Sequence, residues 1–361
     1  MIMRISNILL YVIVVMLCSC GKVVEQDFFI DSLSEVDLCK SEYLLLEDTI
    51  ISSSTFPMSY IVDSLMISMD RAGQEFIFSV TDLYSDETLG LFGRRGRSFN
   101  ELIDCLPVMD VYRNSKGELC SDLFSYRDGR LFIWNISESL MKGTDSYDRI
   151  IELNNVEEEY PFLSLYRLDE MSVIAKNSYQ IAISDNVLKA PRYEIYNLST
   201  GDLEKTFDIF HKVNIVTNDP IYTSKSFLGN FDCIKPDRTK LAFGMGYMPV
   251  YGILDLNTGK FKGFKIKGLK RFSTSVRNWH FCNLVSDNSY IYALYYGHDI
   301  SDPSSERLNS TLFIFDWEGN MIERYDLGNY FTELNLSNDT LYFMGKEGRI
   351  YTILTSKIYP N

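Results

Sequence analysis

The sequence predicts an all-β fold, and three observations favour one architecture within that class. Aromatic residues make up 14% of the 361 residues, with 24 Tyr, 23 Phe and 3 Trp, and such residues are enriched in strands. Short apolar runs recur between turn-forming residues, whereas long amphipathic helical stretches are rare. One turn motif recurs at the same place in a repeating unit. A unit of this kind must stack on copies of itself to bury its apolar face, so we expect a β-propeller of six four-stranded blades.

The first twenty residues have the features of a bacterial lipoprotein signal. Arg4 precedes the apolar run Ile8–Leu17, which suits the hydrophobic region of a signal peptide but is short for a membrane span. Small residues then surround Cys20, as signal peptidase II requires. We therefore predict removal of residues 1–19 and attachment of acyl chains such as palmitate to Cys20, which anchor the chain stably in a membrane. The alternatives are an ordinary signal peptide or an N-terminal anchor helix.

The residues after Cys20 predict location and domain organisation. No Asp follows Cys20 directly, which under the better-known bacterial sorting rule indicates the outer membrane, with the membrane face left open. Residues 20–42 are mixed and acidic, and we expect them to lead from the lipid to a single propeller domain over residues 43–361. Five cysteines lie beyond Cys20, and most of them are expected to be buried free thiols.

Strand-like runs separated by turn residues cover the first half of the domain. We expect the stretch 43–51 to close the ring by pairing with the last blade. Further strands are predicted at Ser59–Met69, Glu75–Thr81, Leu123–Ser125, Arg130–Asn135, Ile150–Leu153, Ser172–Lys176, Gln180–Ser184 and Arg192–Asn197.

The second half repeats this pattern more clearly. Strands are predicted at Phe231–Ile234, Lys240–Gly244, Val250–Asp255, Phe261–Ile266, Phe281–Ser286, Tyr290–Tyr296, Thr311–Asp316, Met321–Leu327, Thr332–Leu336, Thr340–Met344 and Arg349–Leu354. The recurring turn reads Asn-Leu-Ser-Thr-Gly-Asp before 203, Asp-Leu-Asn-Thr-Gly-Lys before 261 and Asp-Trp-Glu-Gly-Asn before 321, each leading into a fourth strand. A pair of β-sandwiches would not explain these copies. A repeat of roughly 50 residues favours six blades, with seven blades as the alternative.

Two motifs connect the chain to a known family. A glycine- and arginine-rich loop spans Gly93–Glu101, and the sequence Lys-Pro-Asp-Arg-Thr-Lys occupies 235–240. Together with the lipoprotein signal and the acidic leader, they make the chain resemble the TolB-like six-bladed propeller lipoproteins of Bacteroidetes over about residues 40–355. Ser98-Phe99 replaces the family's usual Gly-Pro, and Arg238 stands where a turn glycine is usual. The resemblance implies the fold and an envelope location, and it leaves the chemistry undefined.

Composition and motifs exclude several function classes. The formal net charge of −14 argues against nucleic-acid binding, which needs a basic face. The chain has neither a nucleophile elbow, nor a phosphate-binding loop, nor a dinucleotide fingerprint, and its three histidines are scattered. We therefore predict neither catalytic residues, nor a metal site, nor a cofactor.

Five residues are candidates for ligand binding. Arg94, Arg95 and Arg97 could bind a carboxylate, phosphate or acidic sugar near the mouth of the propeller, or could instead pair with carboxylates of the blades. Trp279 and His280 begin the inner region of a blade, where they could line the central channel. The alternative for His280 is a core histidine with its hydrogen bonds satisfied.

Two functional hypotheses follow. The first is a membrane-anchored, non-enzymatic scaffold whose propeller binds a protein or a cell-surface polymer, since function in this fold resides in variable loops. The second is a propeller lyase, lactonase or hydrolase that acts on a glycan or small molecule in the channel. Acids converging near His280 would favour the enzyme, and an apolar, plugged channel would favour the scaffold. An accessory lipoprotein for nutrient uptake is a third possibility.

Overall fold

A computed structural model describes residues 33–51, 58–69, 75–154, 162–183, 186–210, 229–269, 278–299, 309–345 and 348–358. Cys20, the segment 1–19 and most of the expected leader lie outside this part of the chain. Three short strands come first: β1 (Ser34–Val36), β2 (Glu42–Tyr43) and β3 (Glu47–Ile51). The strands that follow form six antiparallel sheets, which are the blades of a β-propeller, as predicted.

Blades 1 to 5 take their four strands in chain order from the centre outwards, and blade 6 does the same for its first three strands and has β3 as its outermost strand. Blade 1 contains β4 (Ser59–Val62), β5 (Leu65–Met69), β6 (Phe76–Asp82) and β7 (Thr88–Arg94); blade 2 contains β8 (Tyr112–Arg113), β9 (Leu119–Ser125), β10 (Arg130–Asn135) and β11 (Tyr147–Glu152); blade 3 contains β12 (Phe162–Arg167), β13 (Ser172–Ile183), β14 (Asn186–Asn197) and β15 (Leu203–Asp208). Blade 4 contains β16 (Asn230–Ile234), β17 (Lys240–Met245), β18 (Val250–Asp255) and β19 (Phe261–Ile266); blade 5 contains β20 (Asn278–Ser286), β21 (Tyr290–Asp299), β22 (Thr311–Asp316) and β23 (Met321–Asp326); blade 6 contains β24 (Phe331–Ser337), β25 (Thr340–Gly345), β26 (Arg349–Leu354) and β3.

The N-terminal strands run along the outer edges of three successive blades. β1 pairs in parallel with β19 of blade 4, and β2 pairs in parallel with β23 of blade 5. β3 pairs antiparallel with β26, so Glu47–Ile51 supplies the outermost strand of blade 6. The prediction that this stretch closes the ring is therefore confirmed for β3, whereas Tyr43 pairs with blade 5 instead. Residues 34–36, which the sequence assigned to the leader, lie on blade 4.

The recurring turn joins the third and fourth strands of blades 3, 4 and 5, as predicted. In each copy an Asn or Asp side chain accepts a backbone N–H two or three residues on, for example Ser199 N–H to Asn197 Oδ1 (2.7 Å) and Thr258 N–H to Asp255 Oδ1 (2.7 Å). The glycine of the turn has a positive φ of 72° at Gly259 and 92° at Gly319, a conformation that a side chain would strain.

Two local predictions are wrong, and one short helix was not predicted. Ser59–Met69 is a hairpin rather than one strand, because Asp63 adopts φ +53° and turns the chain without a glycine. The two strands predicted within 172–184 are one continuous β13. A helix, α1 (Ile136–Lys142), links β10 to β11, capped by Asn135 and by Gly143. This helix is too short to show a periodic pattern. A second short helix, α2 (Thr355–Ile358), follows β26.

Apolar side chains of neighbouring blades pack against each other to form the core. Between blades 4 and 5, for example, the ring centroids of Tyr251 and Phe315 lie 4.1 Å apart, and those of Tyr251 and Phe281 lie 6.3 Å apart. This packing fixes the blades around the axis and leaves their innermost strands to line the centre.

Candidate functional site

A cavity of about 500 Å³ occupies the centre of the ring. β4, β12, β16, β20 and β24 line it, and residues 107–110, which precede β8, complete the lining for blade 2. Leu163 and Thr332 are exposed lining residues near the start of their strands, so solvent reaches the cavity from the end where the inner strands begin. Its volume falls within the range of about 300–1,000 Å³ that is typical of small-ligand pockets.

Asp232 of β16 is the centre of a buried polar cluster between blades 3 and 4. Its carboxylate accepts hydrogen bonds from the hydroxyls of Ser164 (2.9 Å), Tyr166 (2.9 Å) and Tyr193 (3.0 Å). The Lys176 ammonium lies 3.1 Å from the same carboxylate. Burial raises the pKa of Tyr166 and Tyr193 well above the usual value, and the neighbouring carboxylate adds to the effect, so both phenols stay protonated as donors. The cluster joins blades 3 and 4, and within it the Lys176 ammonium neutralises the Asp232 carboxylate.

A second cluster lies at the end where the inner strands finish. Arg238, in the turn after β16, donates to both carboxylate oxygens of Asp110 (2.8 and 3.2 Å). Arg167, the last residue of β12, donates its backbone N–H to Asp110 (3.1 Å) and its Nε–H to Asp122 (2.8 Å). Tyr112 accepts a hydrogen bond from Arg167 Nη2 (2.7 Å). Blades 2, 3 and 4 are thereby held together by paired charges.

Polar side chains of β24 complete the seam between blade 6 and blade 1. Alternate residues of this strand face the backbone of β4, because side chains alternate along a strand. The hydrogen bonds run from Ser59 N–H to Glu333 (3.1 Å), from Ile61 N–H to Asn335 (3.3 Å) and from Asp63 N–H to Ser337 (2.9 Å). These acceptors satisfy backbone donors on the inner edge of β4, which has no neighbouring strand on that side.

The three predicted arginines lie away from the cavity, at the outer edge of blade 1. Arg94 ends β7 and pairs with Glu75 (3.0 Å), so the expectation that these arginines pair with blade carboxylates is met for Arg94. Arg95 forms a backbone bridge with Leu102, and Arg97 is exposed in the following turn. None of the three lines the cavity. A role for them in binding an anion stays a prediction.

His280 is fully buried in blade 5 and does not line the cavity. Its Nδ1 hydrogen-bonds with the Tyr295 hydroxyl (2.7 Å), and Nε2 has no hydrogen-bond partner among the described residues. Burial lowers the pKa of His280 to about 4, so the ring is neutral at physiological pH. His280 is therefore buried, as the core-histidine alternative expects, but among the described residues only one of its two ring nitrogens has the hydrogen bond that this alternative also expects.

Trp279 is half-buried and packs on two aromatic neighbours. Its ring centroid lies 5.1 Å from that of Tyr247 and 6.1 Å from that of Phe231. Phe231 lines the cavity and Trp279 does not, so Trp279 supports the wall without reaching the space inside.

The described residues contain no group of three or more His, Cys, Asp or Glu side chains arranged to hold a metal ion. Within the same ranges, no helix is long and apolar enough to span a membrane. Five cysteines of the described chain are free thiols, and four of them are buried, as expected. Burial raises the pKa of Cys120 and of Cys233 to about 12, which keeps these thiols protonated and unreactive.

Sequence reasoning missed the residues that line the cavity. Asp232 and its partner Ser164 are 68 residues apart, and Asn335 and Ile61 are 274 residues apart. No local motif marks such pairs. The available signal is an unexpected polar residue in an apolar strand, as Asp232 within Asn-Phe-Asp-Cys-Ile and Lys176 within Val-Ile-Ala-Lys.

Comparison with known proteins supports the fold of this chain and does not assign it a function. No family model matches the chain, and no curated protein matches it. A member of the DUF4221 family from Bacteroides vulgatus has a similar structure, with a TM-score of 0.54, 10% identity and coverage of 86% of this chain and 96% of that one. A Bacteroides fragilis protein described as exported has a TM-score of 0.47 and 8% identity, with coverage of 92% of this chain and 97% of that one. The calcium-binding protein regucalcin from Agrobacterium tumefaciens has a TM-score of 0.46 and 13% identity, with coverage of 89% of this chain and 95% of that one. The first likeness shows a shared fold, and the other two are too distant to add an argument.

Proposed function

We propose that this protein is a lipoprotein of the outer membrane, anchored through Cys20, whose propeller binds a protein partner or a cell-surface polymer without altering it chemically. The observation that carries this proposal is the pairing of charges around the central cavity. Asp232 is held by Lys176, and Asp110 is held by Arg238. Charges that neutralise each other in this way are poorly placed to exchange protons with a substrate.

The enzyme hypothesis has less support. General acid–base chemistry needs titratable groups that converge on one reacting atom. His280 lies outside the cavity lining and contacts Tyr295 rather than an acid. Glu333 is the one carboxylate of the described lining without a cationic partner among the described residues, and a lone carboxylate lacks the second group that glycoside hydrolysis requires.

The position of the first described residues supports a tether at the rim. Leu33 is buried against blade 4, where a Cβ on Gly263 would lie 2.4 Å from its side chain. Twelve residues lie between Cys20 and Leu33, so the extended distance between these two is at most about 45 Å. A lipid on Cys20 would therefore hold the disc by the edge of blade 4, close to the membrane surface.

The test is crosslinking in intact membranes, with Cys20→Ala as the unanchored control. We expect one partner, protein or glycan, to be crosslinked reproducibly to the anchored protein, to be lost with Cys20→Ala, and to be recovered with its mass unchanged apart from the crosslinker. Absence of any specific crosslink, or recovery of a cleaved product, would overturn the proposal. A cleaved product would favour the lyase, lactonase or hydrolase alternative.

A further inference from the structure

One acidic side chain of the central cavity has no cationic partner among the described residues. Two of its acidic side chains, Asp110 and Asp232, pair with cations within 4 Å. Glu333 also lines the cavity, and among the described residues its carboxylate receives only the backbone N–H groups of Met58 and Ser59. Burial raises the pKa of Glu333, which is the expected response of a carboxyl group that lacks a cation.

The lining also contains an unused hydrogen-bond donor. Asn230 is 8% exposed, and its Oδ1 accepts a hydrogen bond from Lys176 (3.1 Å). Its Nδ2 has no partner among the described residues. An unsatisfied buried amide is costly, so a ligand with an acceptor at this position would gain free energy on binding.

The remaining lining is mainly apolar. It includes residues from several blades: Met58, Val108, Leu163, Phe231, Leu284 and Leu334. Such a surface suits the hydrocarbon or aromatic body of a ligand, while a few polar groups set its orientation.

We propose that the cavity binds a small organic ammonium ion that carries a hydroxyl or carbonyl acceptor, with the ammonium on Glu333 and the acceptor on Asn230. This site is separate from the surface that would hold a partner in the proposed function. The two are tested by different experiments, so one can fail while the other stands.

Isothermal titration calorimetry with three probes of one shape tests the charge requirement. The probes are tyramine, the neutral 4-hydroxyphenethyl alcohol and the anionic 4-hydroxyphenylacetate. We expect tyramine to bind about tenfold or more tightly than the alcohol, because a hydrogen bond to a charged group is stronger than a neutral one. The anion should not bind. Equal affinities for tyramine and the alcohol, or no binding of tyramine at millimolar concentration, would overturn the proposal.

Tyramine binding to substituted proteins tests whether the ligand occupies the central cavity. Glu333→Gln keeps an acceptor for the backbone of β4 and removes the charge, so it should remove the preference for tyramine. Glu318→Gln is the control, since Glu318 is 65% exposed and pairs with Lys240 outside the cavity. Should Glu333→Gln not fold, Thr332→Phe at the exposed mouth provides the second test, and it should abolish tyramine binding. Unchanged tyramine binding in Thr332→Phe would also contradict the proposal.

Discussion

At the scale of single residues, charged side chains of this propeller occupy positions where the fold alone would favour other residues. Arg238 takes φ +62° in a turn where glycine is usual. Its guanidinium is the partner of Asp110, which is mostly buried between blades. The contact across the ring therefore compensates for backbone strain in the turn.

This explanation predicts that a better turn residue makes the protein less stable. Arg238→Gly relieves the strain but leaves Asp110 without its cation, and we expect a net loss of about 1–3 kcal/mol in the free energy of unfolding. Asp339→Gly is the matched control, because Asp339 also has a positive φ (58°) in a turn between inner strands. That variant should be neutral or slightly stabilised in urea denaturation. Stabilisation by Arg238→Gly would show that the contact with Asp110 contributes little.

His280 predicts a specific pH dependence. Its pKa is about 4 when folded and about 6.5 when unfolded, so the unfolded chain binds more protons between these values. The stability due to the neutral ring is therefore complete above pH 6.5 and is lost as the pH falls towards 4, by at most about 3 kcal/mol.

Urea denaturation of the wild type and of His280→Asn at pH 7 and pH 4.5 measures how much the neutral His280 ring contributes to the free energy of unfolding. The variant should be less stable at both values, but its stability should fall by about 2 kcal/mol less than that of the wild type over the interval. His298→Asn, at a half-buried ring, serves as control. Parallel curves for wild type and His280→Asn would mean that the buried ring does not control this transition.

At the scale of elements, the strap formed by β1, β2 and β3 covers blade edges that would otherwise expose backbone donors and acceptors. β3 matters most, because it closes blade 6 with a strand from the other end of the sequence. Ile50 of β3 packs against the apolar cluster shared by blades 6 and 1.

Ile50→Asp should therefore destabilise the whole ring. Placing a charge against this cluster should cost about 2–4 kcal/mol in the free energy of unfolding. Leu45→Asp is the control, since Leu45 is 74% exposed in the link between β2 and β3. Thermal unfolding followed by circular dichroism compares the two, and similar melting temperatures for both variants would contradict a closing role for β3.

Local turn chemistry made most of this fold predictable from sequence. Strands flanked by Asn, Asp and Gly turns were placed almost residue by residue, as in Arg130–Asn135 and Val250–Asp255. The recurring turn is also present in blade 1, but its sequence does not match the motif, because Asp86 occupies the position of the glycine with φ +57°. The candidate site was not predictable in the same way. Glu333 and Asn230 come from different blades, and only the closed ring brings them to one cavity.

At the scale of the whole molecule, the ring is a disc whose blades are joined by buried charges and whose N-terminal strap follows the rim from blade 4 to blade 6. Such a disc is rigid where the inner strands meet, and its outer surfaces remain free for binding. The proposed lipid on Cys20 would set which part of the rim lies nearest the membrane. Every part of the proposed function depends on that modification.

Mass spectrometry tests most directly whether Cys20 carries this modification. The protein is purified from membranes of bacterial cells that process lipoproteins, and its mature N-terminus is analysed. The wild type and Cys18→Ala should both begin at Cys20 and carry acyl chains there, and Cys20→Ala should carry none and leave the membrane fraction. An unmodified Cys20, a mature chain that begins elsewhere, or acylation that is lost with Cys18→Ala would contradict the anchored scaffold.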